Sequence, residues 1–89
     1  MTVRSVRDLA AAVRGRRADL GISQEELARR AGVSRKWVYE FEAGKPGVEL
    51  AFTLRVLDAL GLAIEFAPTS RADTARVDLD EILDAHRDR

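Results

Sequence analysis

Arg35, Lys36 and Tyr39, with Trp37 and Glu40 beside them, follow directly on Ser34 in a short segment of helical pattern. Carried on the outer face of a helix, that set of side chains suits work on nucleic acid. An arginine reaches guanine O6 and N7 with two donors, a lysine offers a mobile donor to the same edge or to a phosphate, and a tyrosine meets phosphate or a thymine methyl. Backbone amides of helices that start after Ser23 and Ser34 can receive phosphates, with Gln24 and the serine hydroxyls as neutral donors. This chemistry requires the donors to be held outward and rigid.

The elements that would hold them carry start and stop signals. Ser23 and Glu26 form an S-x-x-E capping box, and Ile22 is placed to staple onto Leu27. The helix they open is expected to run to Ala31, where Gly32 stops it. Ser34 caps the next helix, with Val33 and Val38 at the same staple spacing, and Gly44 can take the left-handed conformation just beyond its end near Ala43. Leu27, Ala28, Val33, Val38 and Phe41 supply the contacts between the pair, giving the layout of a helix-turn-helix. Amphipathic helix pairs also serve many proteins that never touch nucleic acid, so the spacing alone admits both readings.

Two further helices flank this pair. Ser5 and Asp8 open a helix from Val6 to Leu20, with Val6, Leu9, Ala10, Val13 and Leu20 near one stripe. After the Lys45–Pro46–Gly47 loop, Leu50, Leu54, Leu57 and Leu60 recur at helical spacing until Gly61. The period then changes: Leu62, Ile64 and Phe66 alternate with Ala63 and Glu65 and end at Pro68, the rhythm of a short half-buried strand. A lone strand needs an edge to pair with, and the same strand of a second copy is the economical partner. The expected organisation is a binding and dimerisation domain over 1–67, then a linker and acidic tail over 68–89. In that tail Leu79, Ile82 and Leu83 line one side of a short helix ringed by Asp78, Asp80, Glu81 and Asp84. Such a stripe is suited to a partner's groove, to docking on its own domain, or to remaining solvated.

Composition bounds the function. With 89 residues there is room for one small domain, and 46% hydrophobic residues with 6% aromatic imply an aliphatic core. The 15 basic and 15 acidic residues cancel overall but are segregated, the basic excess lying before Val56 and the acidic excess after it. The absence of cysteine removes disulfides and thiolate zinc sites and suits a reducing cytosol. The longest charge-free stretch, Ala59 to Ile64, is far short of the ~20 apolar residues that cross a bilayer. Enzyme readings find no support: His86 is the single histidine, without a nucleophile or a base partner in a fixed frame. The acidic residues near it lack the glycine turn of a calcium loop, and Gly44 and Gly47 are not followed by the G-K-[ST] of a phosphate loop. No enzyme activity, cofactor or metal site is expected.

The run SQEELARRAGVSRKWVYEFEAGK, residues 23–45, resembles the phage-repressor (Xre) type of helix-turn-helix. The resemblance implies an all-α, compact four- or five-helix bundle, dimeric on a palindromic double-stranded operator, with its third helix in the major groove. It assigns base reading to Arg35, Lys36 and Glu40 and backbone contacts to Gln24, Ser34 and Lys45. It also implies a pair between Arg17 and Glu42, and it leaves Trp37, where family members often carry a smaller residue, open between packing, a thymine contact and core cover. The following stretch GKPGVELAFTLRVLDALGLAIEFAP is similar to HipB-type antitoxins, which repress their own operon and neutralise a HipA-like serine/threonine kinase. In that family the strand pairs across the dimer axis, here through Leu62, Ile64 and Phe66, and a variable tail engages the toxin, here through Leu79, Ile82 and Leu83. The expectation is a cytoplasmic, nucleoid-associated homodimeric repressor that doubles as an antitoxin. The alternatives are a stand-alone phage or housekeeping regulator and an interaction module without a DNA role.

Overall fold

A computed structural model of the chain describes residues 2–69. Four helices follow in order: α1 Val6–Leu20, α2 Gln24–Ala31, α3 Arg35–Glu42 and α4 Leu50–Ala59. Three of them begin on a serine whose hydroxyl accepts from the amide three residues on: Ser5 from Asp8, Ser23 from Glu26, and Ser34 from Trp37, each at 3.0 Å. Neither the Ser23–Glu26 capping box nor the similarly spaced Ser5 and Asp8 closes reciprocally. The Asp8 carboxylate accepts from the amide of Arg4 rather than Ser5. The Glu26 carboxylate turns along its own helix to Arg29 and Arg30, because two guanidiniums at i+3 and i+4 outbid one amide. Gly21 and Gly32 end α1 and α2 at φ +69° and +72°, and Gly44 follows α3 at φ +86°.

The core draws on all four helices. Val13 of α1, Leu27, Ala28 and Ala31 of α2, Val38 and Phe41 of α3, and Val56 and Leu57 of α4, joined by Leu60, form one buried cluster. Leu9, Ile22, Val33, Trp37, Val48 and Leu62 pack against its rim. The helix α2 is central, lying against both α3 and α4, while α1 packs against α3. Full burial of a side chain such as Leu27 or Phe41 contributes about 1.5–3 kcal/mol, so the aliphatic core holds the helix pair in one arrangement.

Arginines tie the helix ends together. Arg14 donates to the Glu42 carbonyl at the end of α3, Arg16 to the Leu60 carbonyl after α4 at 2.9 Å, and Arg55 to the Gly32 carbonyl after α2 at 3.2 Å. Each places a cation against carbonyls that a helix leaves without an internal partner.

Several sequence expectations change in three dimensions. Leu20 is exposed rather than on the buried stripe of α1. In α4 the buried positions are Thr53, Val56 and Leu57, with Leu60 just beyond, whereas Leu50 and Leu54 are 67% and 47% exposed. Apolar residues nearly encircle this helix, so leucine spacing found the helix and its buried Leu57 and Leu60 but also took in the exposed Leu50 and Leu54. Thr53 is accommodated in the core because its hydroxyl donates to the Glu49 carbonyl at 2.9 Å. Residues 62–69 form no strand within the described single chain; a strand is defined by its ladder, and one copy offers that segment no edge. Leu62 packs on the core, while Ile64 and Phe66 stand exposed. Leu79, Ile82, Leu83 and His86 lie outside the described residues.

Hydrogen bonds from Arg29 and Arg30 lower the Glu26 carboxyl from 4.5 to about 2. Because the folded value lies below the ordinary one, the stabilising contribution is complete above about pH 4.5 and is lost as pH falls towards 2. Urea unfolding of the wild type and of Glu26→Gln should therefore show a stability gap at pH 6 that narrows between pH 4.5 and 2; a gap independent of pH would exclude this carboxylate as its source.

Candidate nucleic-acid interface

The sequence-read residues gather on one side of the helix pair. Ser34 starts α3 with its hydroxyl spent on the Trp37 amide, and Arg35, Lys36 and Tyr39 are exposed along its outer face. Neither Val38 nor Phe41 shares that face, since both are fully buried beneath it. The side chain of Glu40 is partly covered and pairs with Lys45 at 3.2 Å, so these two residues form one exposed ion pair rather than two independent contacts.

Trp37 faces inward instead. Its ring stacks on Phe41 at 5.1 Å and 9°, and meets the edge of Phe52 at 5.7 Å and 80°. Of the readings left open for this residue, the geometry of the free chain favours core cover, with offset and edge-on ring contacts worth about 0.5–1.5 kcal/mol each beyond burial.

The N-terminus of α2 lies next to the start of α3. Ser23, Gln24, Glu25, Arg17 and Arg35 line one open depression between them. Free amides at the first turn of α2, together with the Arg35 guanidinium, make that depression suited to an anionic oxygen, with the Glu25 carboxylate setting a limit at its rim. Beneath it sits the group that fixes the arrangement. The Glu42 side chain, 2% exposed, accepts from Arg17 Nε at 2.7 Å and Arg17 Nη2 at 2.8 Å, a two-pronged pair, and from Gln24 Nε2 at 3.1 Å. Arg17 also donates to the Ile22 carbonyl at 3.0 Å, so a single guanidinium joins α1, the α1–α2 turn and α3. The hydrogen bonds to Glu42 raise the Arg17 pKa above its ordinary value, against the opposing effect of partial burial. Gln24 is thus anchored from below while its backbone remains at the helix start.

A family model described as a helix-turn-helix domain matches residues 8–65. The chain belongs to that family. This helix-turn-helix protein is 37% identical over 70 residues to an uncharacterized HTH-type transcriptional regulator, y4mF, of Sinorhizobium fredii, covering 78% of this chain and 92% of that one. It is 41% identical over 49 residues to an uncharacterized HTH-type transcriptional regulator of Methanothermobacter thermautotrophicus, covering 55% and 71% of the two chains. Among solved structures it is similar to a chain of a HipA-HipB-O2-O3 complex, with TM-score 0.74, 26% identity, and 79% and 99% of the two chains covered. It is likewise similar to a chain of a HipB-O1-O2 complex, with TM-score 0.73, 25% identity, and 76% and 99% covered. The protein is a helix-turn-helix transcriptional regulator of the phage-repressor type, HipB-like in structure.

Two features of the helix-turn-helix site carried no signal in the sequence. The hydrogen bonds from Arg14 to the end of α3 and from Arg55 to Gly32 join residues 28 and 23 positions apart, and long flexible side chains over such separations leave no periodic trace. Among the described residues, no group of histidine, cysteine, aspartate or glutamate is placed to hold a metal, and no helix is long and apolar enough to cross a membrane.

Removing one partner of a buried pair leaves the other uncompensated and costs about 3–5 kcal/mol. Glu42→Ala should accordingly lower the urea midpoint steeply, whereas Arg17→Met combined with Glu42→Leu should recover most of the loss by replacing both charges with apolar volume. A double variant no better than Glu42→Ala would show that the pair contributes more than the filling of space.

Proposed function

We propose that this protein is a homodimeric, sequence-specific repressor that reads a palindromic operator with α3, and that it is the antitoxin of a HipA-like serine/threonine kinase whose operon it autoregulates. The observation that carries the DNA reading is the exposure of Arg35, Lys36 and Tyr39 on a helix whose inner face is fully packed, beside the amide end of α2. In this reading Arg35, Lys36 and Glu40 meet base edges. Gln24, Ser34 and Lys45 meet the backbone, Tyr39 meets phosphate or a thymine methyl, and Trp37 supports the helix from behind. Arg17 and Glu42 keep the reading helix in register with α2.

A homodimer accounts for the apolar surface that a single chain leaves open. Ile64 and Phe66 are 47% and 95% exposed in the alternating segment, and they pair across the twofold axis together with Leu62. Two reading helices related by that axis would meet half-sites about 34–36 Å apart, one turn of duplex. The antitoxin role is supported by the similarity to a chain of a HipA-HipB complex; in this reading the acidic segment around Leu79, Ile82 and Leu83 engages the toxin. Residues 1–67 then form the DNA-binding and dimerisation domain, 68–89 the linker and toxin-binding tail, and the protein acts in the cytoplasm at the nucleoid.

Footprinting upstream of the protein's own gene tests the reading directly. A protected palindrome is expected, with log K falling by about 0.9 for each phosphate neutralised as log salt rises; an interaction module without a DNA role gives neither. Arg35→Ala should cost about 1–3 kcal/mol on the operator and little on random DNA. Equal loss on both would make Arg35 a phosphate anchor. Ile64→Asp should split the dimer in sedimentation, because it sets a charge in the apolar seam, and an intact dimer would refute the strand pairing. Co-purification with a kinase encoded by a neighbouring gene, and inhibition of that kinase, distinguish the antitoxin from a stand-alone regulator, which is recovered without such a partner.

A further inference from the structure

Arg55 and Phe52, one turn apart on α4, lie outside the reading face yet touch both sides of the turn that sets it. Arg55 Nη1 donates to the Gly32 carbonyl at 3.2 Å, and its guanidinium carbon lies 5.3 Å from the Phe52 ring centroid. Phe52 in turn meets Trp37, which stacks on Phe41, so an unbroken ladder runs from the end of α2 through α4 to the inner side of α3. Gly32 is the left-handed hinge of that turn at φ +72°, and its carbonyl precedes Val33 and the Ser34 cap. Rotation of this peptide would swing the start of α3, where Arg35 and Lys36 sit.

We infer that Arg55 is a positioning residue for operator recognition: it clamps the Gly32 peptide against the Phe52–Trp37 ladder and so fixes the angle between α2 and α3. The inference rests on the DNA reading proposed above. The physical reason is tolerance. Two-donor contacts to a base edge survive displacements of only about 0.5 Å, whereas phosphate contacts follow a mobile backbone. A loosened turn therefore costs discrimination before it costs charge attraction. Arg55 suits the role because its planar group donates sideways to a carbonyl while lying over a ring, a combination that a lysine cannot reproduce.

The test uses the full chain, its operator duplex and a random duplex of the same length, over a series of salt concentrations. The emission of Trp37, the chain's single tryptophan, serves as a second readout. Arg55→Ala should weaken operator binding about tenfold and random binding by less than about twofold, with the salt slope unchanged and Trp37 emission shifted. Arg55→Lys, which keeps the charge and a donor, should fall between the two proteins, and it carries the test if Arg55→Ala fails to fold. Equal losses on both duplexes with a slope shallower by about 0.9 would overturn the inference and make Arg55 a phosphate contact. Undiminished discrimination would overturn it as well. If the unsubstituted chain selects no sequence at all, the proposed function itself fails; unchanged Trp37 emission in the variants then overturns the clamp, and a shifted emission supports it.

Discussion

A carboxylate that cannot reach water governs this molecule. Glu42 is a charged residue in the interior at the end of α3, and its oxygens are met by Arg17 from α1 and Gln24 from α2. Burying an ion without partners would cost several kcal/mol, and burying a paired one comes close to neutral. The pair therefore contributes little to how firmly the chain folds and a great deal to which fold it adopts, because any sliding of α3 against α1 or α2 would leave the charge orphaned. The apolar side chains of Val38 and Phe41 could tolerate small slips; the hydrogen-bonded oxygens cannot.

Among the described residues two sets of cations do different work. Arg14, Arg16, Arg17 and Arg55 turn to carbonyl oxygens or to Glu42 and lock helices to one another. Arg35 and Lys36 are exposed at the start of α3. The division follows from helix polarity: carbonyl ends attract cations and are satisfied internally, while amide ends face outward and can accept anions. A small bundle without disulfides thus fixes its geometry with guanidiniums where a larger one would rely on a thicker core.

How much of this could be read from the chain depends on the range of the interaction involved. The bounds of α1, α2 and α3 were legible because Ser5, Ser23, Ser34 and the glycines at 32 and 44 act within a few residues of themselves. The buried set Leu27, Ala28, Val38 and Phe41 was legible because helix periodicity leaves it one face. Leu50 and Leu54 were misread because α4 is apolar nearly all round, and only its neighbours decide which side is inside. The segment from Leu62 to Phe66 shows the two-residue alternation, yet pairing belongs to a ladder that a single chain does not possess. Trp37 was ambiguous because a large ring at the edge of α3 fits groove and core equally, and in the single chain it rests on Phe41 and Phe52. The clamps of Arg14 and Arg55 were invisible, being contacts between distant parts of the chain.

One further feature follows from the way α4 begins. Glu49 provides no side-chain cap, Leu50 and Ala51 lie open to solvent, and the preceding loop contains two glycines with positive φ. Local opening should be cheapest at that junction, since few buried contacts must be broken there. The first-turn amides of α4 would exchange with solvent well before those of α2 and α3, whose starts are serine-capped and whose ends are held by arginine. The reading unit can consequently outlast its own support for a time, loosening from behind rather than from the face it presents.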